Sequence, residues 1–453
     1  VDNNKTVDKA VTRIAKAAKG AALNIPVIPQ GVLDVSRVLP AAVSALLALC
    51  LCFSHRPLAA DLYLHGFGTL GISHSDSEQY GWRPTMDLDG SYDGQWEVAN
   101  NSILGLQLDG VFNPRLKGSL QVVARQRQHN GLEDVLEWAY LGYDLSPGLE
   151  LRLGRMGLSN YLLSDYRNVR FAQLWTHPPT EYYGQLPQHH SDGVDITYSH
   201  HDGDGLWRWR TGMGTTDLAF YVGDAFPGSG GEVDSVDMIP GYLSALSYET
   251  QNWRAQISVT AARMEEDYAS GQPLRDAYAY LESLGFEGAA DYAGRWETRG
   301  KWVYYGAAGV AYDNGQLLVQ AELNQIDSEA ETINSSVNGY LSVGRRMAAL
   351  TLYGVYGYAH SNGDASRAPR YPVPGGAELA VVSDLVSVTT RANQQTLALG
   401  LRWDLHPQLA LKGQWDRSWV ERDGIMLFSL ADLQQPLTDE RVDTFSLQLD
   451  FIF

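Results

Sequence analysis

The fold class this sequence predicts is all-β, a 16-stranded antiparallel transmembrane β-barrel. Three observations predict it. Segments of alternating polarity recur through 61–453, and no long apolar helical run interrupts them. Very short connections rich in Gly, Pro, Asn and Asp alternate with long polar ones, as in barrels with periplasmic turns on one rim and extracellular loops on the other. The last segment puts Phe445, Leu447, Leu449, Phe451 and Phe453 on one parity and Ser446, Gln448 and Asp450 on the other. Strand side chains alternate between faces, so this segment offers one apolar wall for lipid and one polar wall for a lumen.

Composition agrees. The chain has 453 residues, with 45 Gly, 25 Tyr and 12 Trp but only 19% charged residues, a mix suited to turns and aromatic belts rather than to a helical enzyme. A net charge of −19 argues against a nucleic-acid partner.

In chain order, residues 1–31 read as an upstream extension, unstructured or outside the expressed protein. Residues 32–60 read as a signal peptide: basic residues precede an apolar core from Val38 to Phe53, and small residues near Ala60 suit cleavage. Both cysteines, Cys50 and Cys52, fall within that core, so disulfides have no part in the mature chain.

From Asp61 the strands are expected near 62–70, 99–111, 115–127, 133–144, 148–155, 192–201, 206–223 and 241–250, then 253–263, 301–313, 316–327, 337–345, 347–360, 391–405, 408–420 and 441–453. Short turns fall at Asn113-Pro114, Ser146 to Gly148, Asp202 to Gly205, Gln251-Asn252, Asp313 to Gly315, Arg345-Arg346 and His406-Pro407. The loops are 71–98, 128–132, 156–191, 224–240, 264–300, 328–336, 361–390 and 421–440. Those at 71–98 and 264–300 are acidic and read as solvated extracellular faces.

Parity assigns side chains to faces. Arg125, Arg127, Arg152, Arg208, Arg210 and Arg254 all fall on inward positions, as expected when Arg at the lipid midplane costs about 2–4 kcal/mol. Lys412, Gln414, Asp416, Glu322 and Asn324 also point inward. Trp138, Tyr140, Trp403, Trp415 and Trp419 read as interface girdles, and no inward ladder of aromatics is expected. His65, His74, His189, His190, His200 and His201 lie at strand or loop ends beside no telling nucleophile, so neither catalysis nor a metal or other cofactor is expected.

The loop 156–191 is the functional candidate. It carries Asp165, Tyr166, Arg167, Arg170, Trp175 and Glu181 in a setting too rich in Leu, Phe, Trp and Tyr to stand in water, so packing inside the lumen is the expectation. Here the chain resembles the sixteen-stranded Gram-negative porins, in a branch beyond the classical general porins. The resemblance rests on the run Leu153-Gly-Arg-Met, Ser164-Asp165-Tyr166, Trp175 to Pro179 and Tyr182-Tyr183-Gly184, together with the terminal strand. It implies an inward-folded third loop and a diffusion channel for small hydrophilic solutes, a homotrimer set among outer-membrane lipid and lipopolysaccharide. A basic wall facing Asp165 and Glu181 would favour anionic organic solutes. The other readings are a non-conducting receptor or adhesin barrel, and an enzyme embedded in the barrel.

Overall fold

The computed structural model describes residues 61–127, 135–185, 187–188, 190–221, 233–432 and 435–453. The upstream extension, the signal peptide and the loop 128–132 lie outside these residues. Sixteen strands form the wall. The first half comprises β1 Asp61–Ser75, β2 Ile103–Asn113, β3 Leu116–Arg125, β4 Leu136–Ser146, β5 Leu149–Gly157, β6 His190–Asp202, β7 Gly205–Tyr221 and β8 Val233–Glu249. The second comprises β9 Trp253–Met264, β10 Trp302–Asp313, β11 Leu317–Ser328, β12 Ser336–Met347, β13 Leu350–Ser361, β14 Ala392–His406, β15 Leu409–Ile425 and β16 Glu440–Ile452.

Each strand pairs antiparallel with its chain neighbours, and β1 pairs with both β2 and β16, so the sheet is closed. Closure matters because hydrocarbon offers no partner to a free backbone N–H or C=O. The seam runs from Phe67 opposite Ile452 to Ser75 opposite Thr444, and Gly66 and Phe453 exchange both backbone hydrogen bonds at 2.9 Å. The terminal rings need glycine beneath them. A Cβ at Gly66 would sit 2.1 Å from the Phe453 ring, and one at Gly68 would sit 2.3 Å from the Phe451 ring.

Alternation sorts the side chains. Trp253, Ile257 and Val259 are exposed on the outer wall of β9 while Ser258 is buried inside; in β14, Leu397 to Leu405 face out against buried Ala398. A closed barrel, apolar outside and polar within, belongs to the bacterial outer membrane. Among the described residues no helix is long and apolar enough to cross a membrane.

Four departures from the sequence reading have local causes. β1 continues to Ser75 because residues 71–75 stay paired with β16. β8 begins at Val233 rather than 241, because Val236 and Met238 pack inward with Leu218 and Met264 across a bulge between Met238 and Gly241. The turn placed at Arg345-Arg346 lies between Met347 and Leu350, with Ala348 left-handed at φ 54°. Trp138 and Tyr140 face the lumen, not the membrane interface: Gln121 opposes Trp138 and Val122 opposes Leu136, so a bulge at Glu137 reverses the parity.

The acidic loop 265–301 is not merely a solvated face. Its helices α2 Gln272–Ser283 and α3 Ala289–Ala293 share an apolar core with α3's neighbour Trp296 and with the helix α4 Gly376–Thr389 of the loop after β13. Tyr278 and Ser383 join the two loops through their hydroxyls at 2.9 Å. Glu265, Glu266, Asp276, Glu282, Glu287, Asp291 and Glu297 are exposed on this cap, which is why composition alone read as solvated loop. Asp267 instead accepts from the N–H groups of Thr298 and Arg299.

Candidate constriction of the lumen

The loop after β5, through residues 158–185, enters the lumen and packs on the inner wall of the second half. Tyr161, Leu163, Trp175, Tyr182 and Tyr183 form one buried core with Tyr305, Ile326, Tyr340, Tyr353, Val355 and Ala398. An inward aromatic set therefore exists, contrary to the sequence reading, and the third loop covers it. The side-chain period explains the miss: Tyr304 is exposed on the outer wall, whereas its neighbour Tyr305 points in.

Polar wall residues dock the loop. Glu322 accepts from the Tyr340 hydroxyl at 2.7 Å, the Leu162 N–H at 2.8 Å and the Tyr183 hydroxyl. Trp175 donates from Nε1 to Ser342 at 2.8 Å. Lys412 donates to the carbonyls of Arg170 and Trp175 at 2.8 and 2.9 Å and pairs with Asp450 at 2.8 Å. Arg402 holds the carbonyls of Phe171 and Gln173 at 2.6 and 2.8 Å. His177 lies 3.3 Å from Asp416, with Gln414 beside it.

The loop also contacts β7 and β9. Ser258 donates to the Asn160 carbonyl at 2.6 Å, Arg254 to the Tyr166 hydroxyl at 3.2 Å, and Arg210 lies 3.5 Å from Asp165. The first loop crosses above it, which the sequence reading missed. Met86 packs with Leu218, Val236 and Met264 of β7, β8 and β9, and its N–H donates to the Gly184 carbonyl at 3.0 Å. Tyr80–Trp82 of this loop pairs with Phe428–Leu430 of the last loop, and Trp82 lies against His177. The only signal in the sequence was the apolar content of Trp82, Met86 and Leu88.

All six wall arginines face inward, and most are matched by carboxylates. Arg152 makes a two-pronged pair with Asp195, and Arg208 lies 3.5 Å from Glu249. Arg127 binds Glu137, and Arg125 lies 3.8 Å from the same carboxylate. Asp165 faces the basic wall, its side chain more than half open. Glu181 does not face it. It is 1% exposed against β13 and β14, accepting from Gln394 at 2.6 Å and from Thr396, and burial pushes its carboxyl above the ordinary range despite these donors. The sequence reading of two acids across from the basic strip fails here because α1, Thr180–Tyr183, turns Glu181 into the wall. Arg167 donates to the Tyr161 hydroxyl at 2.8 Å and the Tyr183 carbonyl at 3.2 Å, bracing the loop on itself. Among the described residues no cluster of His, Cys and carboxylates is arranged to hold a metal.

No protein-family model matches the chain, and no curated protein matches it. Solved structures with a similar layout include OmpF of Salmonella typhi in complex with daunomycin, at 10% identity and TM-score 0.48 over 88% of this chain and 99% of that one. The outer membrane channel DcaP of Acinetobacter baumannii is 12% identical, with TM-score 0.48 over 87% and 97%. OmpT, an outer membrane protein of Vibrio cholerae, is 10% identical, with TM-score 0.46 over 87% and 98%. Assignment of the barrel rests on this chain's own strand pairing.

Proposed function

We propose that this protein is a diffusion channel for small hydrophilic solutes, with a preference for anionic organic solutes. The observation that carries the proposal is the docking of residues 158–185 across a lumen lined by polar and basic side chains. A buried loop held by Glu322, Lys412 and Arg402 narrows a passage without requiring any moving part. Water-filled space beside a low-dielectric wall focuses the field of fixed charges on a passing solute. Mature protein from Asp61, a homotrimeric assembly and contact with lipopolysaccharide belong to the same proposal. The test is current through the purified protein in a planar bilayer: steady conductance supports a channel, and the reversal potential in a KCl gradient gives the preferred sign.

One observation favours a second reading. The loops after β9 and β13 carry their own apolar core at the barrel mouth, while the first and last loops pair over the lumen. A receptor barrel that does not conduct would use such a cap as a docking face. The absence of current, with the barrel folded, would favour it.

A further inference from the structure

We propose that Arg125, Arg167 and Arg170 form a binding site for the oxyanion head group of a small solute, a carboxylate or a phosphate, in the crevice between the first loop, the third loop and β3. This deepens the channel reading and rests on it for the route by which a solute arrives.

The crevice is small, about 30 Å³; its lining includes Pro84, Leu88, Arg125, Arg167, Arg170 and Tyr183, and no carboxylate among the described residues. Its space suits the oxygen end of an anion, with apolar surface from Pro84 and Leu88 beside it. One guanidinium N–H group of the crevice lining, Nη1 of Arg170, is buried without a hydrogen-bond partner among the described residues; Nε of Arg125 also lacks a hydrogen bond and lies 3.8 Å from Glu137. A buried donor left without an acceptor is costly, and natural structures rarely tolerate one without use. The nearby acids are already engaged. Glu137 lies between Arg127 and Arg125, and Asp450 is paired with Lys412 and accepts from Thr69 at 2.6 Å.

Among the described residues Arg170 thus lacks the carboxylate that Arg152, Arg208 and Arg210 each have in Asp195, Glu249 and Asp165. Burial and the like charges of Arg167 and Arg125 pull its guanidinium below its ordinary value, with Asp450 opposing only in part. Unmatched positive charge therefore gathers where Arg167 and Arg170 of the third loop meet Arg125 of the wall strip. A planar guanidinium fork matches the two oxygens of a carboxylate or phosphate.

The test is calorimetric titration of succinate, and separately of inorganic phosphate, into the detergent-purified protein at low chloride. The expected result is a saturable isotherm for at least one of them. Arg170→Gln should weaken it ~10-fold or more, the loss of a charge-assisted hydrogen bond. Arg170→Lys should recover part of the binding, because charge returns without the fork. No side-chain hydrogen bond of Arg170 holds the fold among the described residues, so the heat-modifiable gel mobility of both variants should match wild type. No saturable isotherm with either anion, or equal affinity in Arg170→Gln, overturns the site. KCl conductance separates the two claims: current without saturable binding keeps the channel and removes the site, and binding without current does the reverse.

Discussion

Replacing Glu322 by Ala should release the third loop from the wall while leaving the barrel closed. Glu322 is 4% exposed and is the shared acceptor for the Tyr340 hydroxyl, the Leu162 N–H and the Tyr183 hydroxyl. Alanine leaves three donors without an acceptor, at about 1–3 kcal/mol each, and removes a carboxylate from the centre of the aromatic core. Allowing for relaxation and water entry, the loss is on the order of 3–5 kcal/mol, or about 10²–10⁴-fold in the undocked population. The sixteen strands keep their own ladder, so the loss falls on the loop. Glu322→Gln keeps an acceptor of the same shape and should cost roughly 1–2 kcal/mol. The assay is limited proteolysis of the folded protein, read by cleavage within 158–185, beside single-channel noise. Faster cleavage and a flickering current are expected for Glu322→Ala, with Glu322→Gln intermediate. Wild-type resistance and a quiet current in Glu322→Ala would refute the docking role of Glu322.

At the seam, Gly68→Val should lower the temperature of heat-modified gel mobility by displacing the Phe451 ring, and Phe451→Ala should restore much of it in the double variant; additive losses would contradict this contact. Ala348→Gly should raise stability by under about 1 kcal/mol, since Ala348 sits at φ 54°, and a loss in urea unfolding would show the turn is not strained. Asp267 accepts N–H groups of Thr298 and Arg299 at 2.6 and 2.9 Å, and these donors hold its carboxyl below the ordinary range although burial opposes them. A depressed carboxylate stabilises the folded loop above its unfolded pKa and loses that contribution as pH falls through the folded value. Asp267→Asn should therefore expose residues 265–300 to protease at neutral pH, as wild type does only in strong acid; equal resistance at neutral pH would remove Asp267 from the loop's support.

The barrel was legible because its signal is local. A period of two settles the faces of β9 from Trp253 to Ala261 and of β14 from Leu397 to Leu405, and Asn-Gly at 314–315 marks a hairpin by itself. The interior was legible only in part, because its contacts join distant residues. Leu162 meets Glu322, and Met86 crosses to Leu218, with no local pattern to announce either. One bulge at Glu137 was enough to turn Trp138 and Tyr140 inward. Arg152 was visible as an inward cation, yet its neutralisation by Asp195 required the register of β5 with β6. The helical cap was hidden for a similar reason: Tyr278 and Trp296 of one loop pack with Ala380 and Val386 of another that is distant in sequence. The apolar run of α4 does not by itself say what covers it.

Single-channel recording of the purified protein in a planar bilayer, with reversal potential in a KCl gradient, tests the central claim most directly. Steady conductance, in steps of three for a trimer, with a reversal potential of the sign set by chloride, is the predicted result. A folded barrel that passes no current would contradict the channel, and a reversal potential set by potassium would contradict the basic constriction.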